Sequence, residues 1–318
     1  MSQNISIENA NRESRGFGRW WIYQRERFPL FLNGLAILIF SLAAVGYGWV
    51  VSGRQGTPGL AVILVSFSGS FIFFALMRIV DEFKDHEDDS RYRPYRAVPR
   101  GLVKLSELRA IGIFLAVAQF VLALAWSLQL FLLLVCIWIY FLLMSREFFA
   151  PRWLKAHPVI YLLSHMVIMP LIALFASAPA WLGHSVTAQE LLLFLVLTFC
   201  VGMVGEIGRK IRAPEDEEFG VETYTALWGR ITAVNLWLLG TLATALIAGW
   251  SCRVFASDGF FAPLLAVLFA TTAVVGWRFI RMPNRVRARV IEAVSGLWTL
   301  ISFGALSASA FIPAYAWG

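Results

Sequence analysis

Long apolar runs separated by short, charge-dense joints dominate this chain. Stretches near 30–51, 58–80, 106–126, 128–145, 157–177, 187–207, 232–250, 262–280 and 291–314 have about the 17–25 residues a helix needs to cross a bilayer. In hydrocarbon a helix satisfies its own backbone polar groups, so the pattern predicts an all-α polytopic membrane bundle of about nine transmembrane helices. No joint exceeds about 30 residues, which leaves no room for a soluble domain. Before the first run, residues 1 to about 17 are polar and rich in Asn and Ser, the composition of a mobile tail. Trp20, Trp21 and Tyr23 then alternate with Arg19, Arg25 and Arg27, a pattern that reads as an interfacial anchor of aromatic rings and snorkelling cations. The chain therefore divides into a cytoplasmic tail and anchor, 1–28, and a membrane domain, 29–318. No cleavable signal peptide is visible, because the first long apolar run begins near Pro29.

Composition strengthens the membrane assignment. Of 318 residues 59% are hydrophobic and 15% charged, against about 45–50% apolar in soluble domains. With the N-terminus inside, only Arg54 and Arg253 of the 27 Lys and Arg fall in outside turns. That bias is the positive-inside signature. It predicts a cell (inner) membrane protein with a cytoplasmic N-terminus and an external C-terminus. The net charge of +7 has the same origin and favours anionic lipid headgroups, not nucleic acid. Cys136, Cys200 and Cys252 lie in or beside different helices without paired spacing, so they are expected to be packing residues.

Two inside joints stand out. RIVDEFKDHEDDSRYRPYR, 78–96, follows the second helix, and GEIGRKIRAPEDEEFGVETYTALWG, 205–229, follows the sixth. If the first continues its helix at about 100° per residue, Glu82, Asp85 and Asp89 fall within about 60° of one another, and Asp81, Asp85 and Asp88 share nearly one face. Clustered carboxylates repel, and Mg2+ is the hard cation that one or two carboxylates, waters and substrate phosphates commonly hold. Arg91, Arg93, Arg96, Arg100 and Lys104 follow around Pro94 and Pro99, and arginine forks suit phosphate. In the second joint Glu206, Arg209 and Lys210 end the helix, Pro214 breaks it, and Glu215 to Glu218 precede Gly220. One such loop is ordinarily solvated surface; two on one membrane face point to a diphosphate site. The corresponding positions also suggest two four-helix halves with a ninth helix appended.

These residues resemble the UbiA superfamily of intramembrane prenyltransferases. Its first signature, NDxxDxxxD, is matched as DExxDxxxD by Asp81, Glu82, Asp85 and Asp89, and RPYRAVPRGL, 93–102, is similar to the stretch that follows it in the family. The second signature, DxxxD with a glycine four residues on, departs: Gly220 places Asp216 on the last Asp but Arg212 on the first. Either Glu206, Glu215 or Glu217 supplies the missing ligand, or Arg209, Lys210 and Arg212 bind phosphate with fewer metals, or catalysis is altered or lost. The resemblance implies a Mg2+-dependent transfer of a prenyl group from a prenyl diphosphate to a lipophilic or aromatic acceptor. It implies catalytic roles for Asp81, Glu82, Asp85, Asp89 and Asp216. Metal ligands would come from Glu82, Asp85, Asp89, Glu206, Glu215 and Asp216, and diphosphate contacts from Arg78, Arg91, Arg93, Arg96, Arg146, Arg209, Lys210 and Arg212. A membrane terpene cyclase with the same ionisation is the alternative, and a transporter or a catalytically lost paralogue is the alternative of another class. Few acids lie in mid-helix, where coupled transporters place them.

Weaker candidates complete the reading. Phe67, Phe71, Phe73 and Phe74 are the aromatic faces nearest the first motif, available to a carbocation or to packing. Arg78 and Glu206 each lie one turn inside a motif and are placed to pair across the cavity. The resemblance implies that Ser145, Arg146 and Glu147 on the joint between the fourth and fifth helices, with Lys155, close over the site; His165 reads as a polar contact between helices or a proton acceptor. Tyr224 and Asn235 are further acceptor or phosphate contacts.

Overall fold

The computed structural model describes residues 16–255 and 257–312, with the side chain of Asp258 excluded. The mobile-tail expectation for residues 1–15 and the end of the chain, 313–318, lie outside the described residues. An interfacial helix α1 (Gly18–Arg27) precedes the bundle. The spanning helices are α2 (Leu30–Val51), α3 (Leu60–Lys84), α5 (Leu105–Trp126), α6 (Leu128–Ser145), the pair α8 (Pro158–Met166) and α9 (Ile168–Trp181), α10 (Ala188–Arg209), α12 (Arg230–Arg253), α13 (Asp258–Arg281) and α14 (Arg285–Phe311). Short helices α4 (His86–Tyr92), α7 (Pro151–Ala156) and α11 (Tyr224–Trp228) lie in the joints. Counting α8–α9 as one, nine described spans are long and apolar enough to cross a membrane, and the described residues contain no strand.

The apolar runs locate the spans closely, but several helices outlast the hydrocarbon. α3 continues to Lys84 and α14 starts at Arg285, beyond the apolar limits of 80 and 291, because a helix keeps its hydrogen bonds after its side chains turn polar. The fifth span is broken at Val167. Pro170 has no N–H to give the Met166 carbonyl, so the ladder is interrupted there.

Helix packing closes the bundle on itself. α2 packs against α3, α9 and α14; α5 joins α3 to α6; α10 lies against α9, α12 and α14. The last helix thus seals against the first. Close approach needs small residues: a Cβ on Gly69 of α3 would stand 2.3 Å from the Phe175 ring of α9. The Gly69 carbonyl also accepts from Gln119 Nε2 at 2.9 Å, whose Oε1 accepts from Trp138 Nε1 at 2.9 Å. That relay satisfies buried polar atoms across α3, α5 and α6, where an unmade bond is costly. Cys136 corrects the packing expectation: it sits on an exposed face of α6, whereas Cys252 is buried, because the apolar surroundings of a membrane helix include lipid.

Candidate functional site

The charged joints meet at one end of the bundle. α3 stops at Lys84, Asp85 adopts φ −87° and ψ 0°, and the chain resumes as α4. The common face that spacing predicts for Glu82, Asp85 and Asp89 is divided here: Glu82 and Asp89 turn inward, whereas Asp85 stays nearer the surface with Asp81. Glu82 and Asp89 are buried, with 2% and 1% of their surface exposed. Glu82 accepts from Arg27 Nε at 2.5 Å and from Arg78 at 3.0 Å. Asp89 is paired with Arg93 at 2.5 Å and Arg96 at 2.8 Å, with Arg27 at 3.9 Å. Asp81 is half-exposed and 3.7 Å from Arg78. Asp85 lies within electrostatic reach of Asp81.

The α10 side offers mainly cations. Arg209 Nε donates to Glu206 at 2.6 Å, Lys210 pairs with Glu206 at 3.0 Å, and Arg209 is within electrostatic reach of Asp81 across the mouth. Tyr224 lies beneath the Lys210 ammonium, 5.3 Å from its ring centre, and stacks on Trp228. Burial, reinforced by Glu206, raises the Tyr224 hydroxyl well above its ordinary range, so it stays a donor. The expected Arg78–Glu206 pair does not form. Arg78 turns to Glu82 and Asp81 on its own helix, and Glu206 to Arg209 and Lys210, because partners at i+3 and i+4 are already in reach.

The acids of the second joint serve the loop. Glu215 accepts from the Arg285 backbone N–H and Asp216 from Arg285 Nε, both at 2.6 Å. Glu217 accepts from Thr223 and Thr225, and Glu218 from Tyr95 at 3.0 Å. Arg212 points to Glu292 of α14, 3.9 Å away. The Tyr95–Glu218 bond crosses from one joint to the other, as does an edge contact between Tyr92 and Phe219. Gly220 makes this docking possible: its φ is +79°, and a Cβ there would lie 2.5 Å from the Tyr92 ring.

A third group adjoins the mouth. Lys84 donates to Tyr161 Oη at 2.7 Å and pairs with Glu147, and His165 Nε2 is 3.3 Å from Glu147. His165 Nδ1, 2.8 Å from the Tyr161 carbonyl, must carry the hydrogen there. His165 is therefore engaged between elements. Burial pushes the Glu147 carboxyl up, but the bonds from His165 and Lys84 outweigh it and hold it down at about 2. Glu147, Phe148 and Phe149 all have positive φ, 50°, 49° and 59°, strain that costs on the order of 1–3 kcal/mol per residue and persists where surrounding contacts fix it. Arg146 is exposed beside this turn, Lys155 makes an exposed 3.7 Å pair with Glu222, and Arg91 lies over the Tyr92 ring. Phe73 is buried among Trp138, Phe141 and Phe175, while Phe74 meets Phe40, and Phe71 meets Phe67 and Phe28.

Arg27 is the residue that motif spacing did not single out for the site. Its place in an aromatic-basic anchor gave one signal, an interfacial cation, and the 55-residue separation from Glu82 hides the pairing.

Among the described residues no three His, Cys, Asp or Glu side chains form a ready metal centre. Asp81 and Asp85 nevertheless suit a hard cation. They are adjacent, and no hydrogen bond or ion pair engages the Asp85 carboxylate among the described residues; Mg2+ commonly takes its other ligands from water and substrate phosphate.

The UbiA prenyltransferase family model matches residues 32–315. A solved structure of a UbiA homolog from Aeropyrum pernix K1 is similar at 16% identity and a TM-score of 0.61, covering 84% of this chain and 96% of that one. A structure reported for digeranylgeranylglyceryl phosphate synthase is similar at 15% identity and a TM-score of 0.57, covering 88% of this chain and 98% of that one. No curated protein sequence matches.

Proposed function

Because the chain belongs to the UbiA prenyltransferase family, we propose that it ionises a prenyl diphosphate at the mouth between α3 and α10 and transfers the prenyl group to a lipophilic or aromatic acceptor. The observation that carries this reading is the meeting of unlike charge there: Asp81, with Asp85 beside it at the end of α3, is in electrostatic reach of Arg209, with Lys210 beside it at the end of α10. By the distribution of Lys and Arg this end is cytoplasmic, in the cell membrane.

Mg2+ held by Asp81 and Asp85 would neutralise diphosphate charge as a Lewis acid. Arg209 and Lys210 bind the remaining phosphate oxygens directly, as charge-assisted donors. This makes the inverted position Arg212 tolerable, because the α10 half of the site needs cations more than carboxylates. Tyr224, kept protonated, donates to a phosphate oxygen. When the allylic C–O bond breaks, its electron pair leaves on the diphosphate oxygen, where these cations stabilise it. The allylic carbon then bonds to the electron-rich acceptor, which loses a proton. The apolar helices exclude water from the cation.

Purified protein supplied with geranyl, farnesyl and geranylgeranyl diphosphates, with and without Mg2+ and with membrane extract as a source of acceptors, tests the reading. We expect Mg2+-dependent diphosphate release that Asp85→Ala abolishes, with a prenylated acceptor found by mass spectrometry. A cyclic hydrocarbon product would replace transfer by cyclisation, and no release from any donor would overturn the reading.

A further inference from the structure

We propose that Arg27 of the interfacial helix occupies the place of a metal ion in the first motif, so that the site takes a single divalent cation, on Asp81 and Asp85, while Glu82 and Asp89 are structural. The inference rests on the diphosphate reading above and goes beyond it, dividing the DExxDxxxD carboxylates into two sets.

The division follows from charge and burial. The side chains of Glu82, Asp89 and Arg27 are 1%, 2% and 9% exposed. Arg27 bridges the two acids, with Nε 2.5 Å from Glu82 and a terminal nitrogen 3.9 Å from Asp89. Arg78 adds a second cation at Glu82, and Arg93 and Arg96 add two at Asp89. Two carboxylates thus face four guanidinium groups. A divalent cation entering there would meet net positive charge and would have to displace buried pairs, which leaves guanidinium charges uncompensated in a dry site. Glutamate at 82 gives the carboxylate one more methylene than aspartate, on the side from which Arg27 approaches. Asp81 and Asp85 differ on each point. Asp81 is half-exposed, and Arg78, its only ion-pair partner among the described residues, is 3.7 Å away; Lys84, the nearest cation in sequence to Asp85, is turned to Glu147 and Tyr161.

The consequence is that α1 is part of the diphosphate site. Arg19 ties the same helix to Glu107 at 3.0 Å, and Glu26 ties it to Arg100 at 2.7 Å. These exposed-side pairs hold Arg27 in register with the motif.

Mn2+ uptake by the detergent-purified full chain in the presence of inorganic diphosphate, counted by electron paramagnetic resonance, tests this without turnover. We expect wild type and Glu82→Gln each to bind a single ion and Asp85→Asn to weaken it at least about tenfold. Two ions in wild type, loss of the ion in Glu82→Gln, or undiminished binding in Asp85→Asn would overturn the inference while leaving the diphosphate reading intact. Absence of any Mn2+ from wild type would overturn the metal-bound reading itself and the inference with it.

Discussion

In the joint after α3, the Asp85 carboxylate makes no hydrogen bond or ion pair among the described residues, and the nearest ion-pair partner of Asp81, Arg78, is 3.7 Å away. In the joint after α10, the four consecutive acids Glu215 to Glu218 are all engaged by Arg285, Thr223, Thr225 or Tyr95, and the cations Arg209 and Lys210 stand at the mouth. Two segments of similar composition have therefore taken opposite roles. One presents negative charge able to hold a metal; the other uses its negative charge to fold a loop and presents positive charge. What separates them is helical register. The first motif stays on a nearly continuous helix, whereas α10 ends at Arg209 and the second motif runs on as a loop whose acids meet Thr223 and Thr225 of the same loop, Tyr95 of the first joint and Arg285 of α14.

Variants that break this contrast should rank by how directly they touch diphosphate. Asp85→Asn removes a carboxylate proposed to hold the metal and should lower diphosphate release by about 10²–10³-fold, measured by a coupled phosphate assay. Arg209→Ala removes charge-assisted bonds of about 1.5–3 kcal/mol, so release at low donor concentration should fall by about 10–100-fold. Gly220→Ala should destabilise the docked loops by about 1–3 kcal/mol, seen as a lower denaturant midpoint in detergent, because the added Cβ has both a positive φ and the Tyr92 ring against it.

Glu147→Gln sharpens the comparison through pH. The folded carboxyl is held at about 2 against an ordinary 4.5, so its contribution to stability is complete above about 4.5 and is lost as pH falls from there through about 2. The stability deficit of Glu147→Gln should be constant from pH 7 to about 5 and disappear below that, in thermal unfolding followed across pH. Smallest of all, Arg212→Ala should change release by less than about fivefold, since its partially exposed side chain pairs with Glu292 at 3.9 Å and not with the mouth.

Most of the bundle was legible in the sequence because membrane spanning leaves a one-dimensional record: apolar length gives the helices. The break at Val167 was also encoded, in Pro170, but hydropathy averages over it. The motif resemblance identified the end of α3 as the place to look, and helical spacing put Glu82, Asp85 and Asp89 on one face, of which the structure buries Glu82 and Asp89 and leaves Asp85 nearer the surface. Spacing could not say which face met Arg27, because that contact depends on how α1 docks, 55 residues away in sequence. Nor could it show that Glu215 and Asp216 would be capped by the start of α14. Charged side chains can serve a ligand or the fold with the same composition, and only their neighbours decide.

The most direct measurement is calorimetric binding of farnesyl thiodiphosphate, which resists ionisation, to wild type, Asp85→Asn and Arg209→Ala with and without Mg2+. We expect Mg2+-dependent binding in wild type that each substitution weakens by at least about tenfold. Binding indifferent to both substitutions, or equally tight without Mg2+, would contradict a diphosphate site shared between α3 and α10.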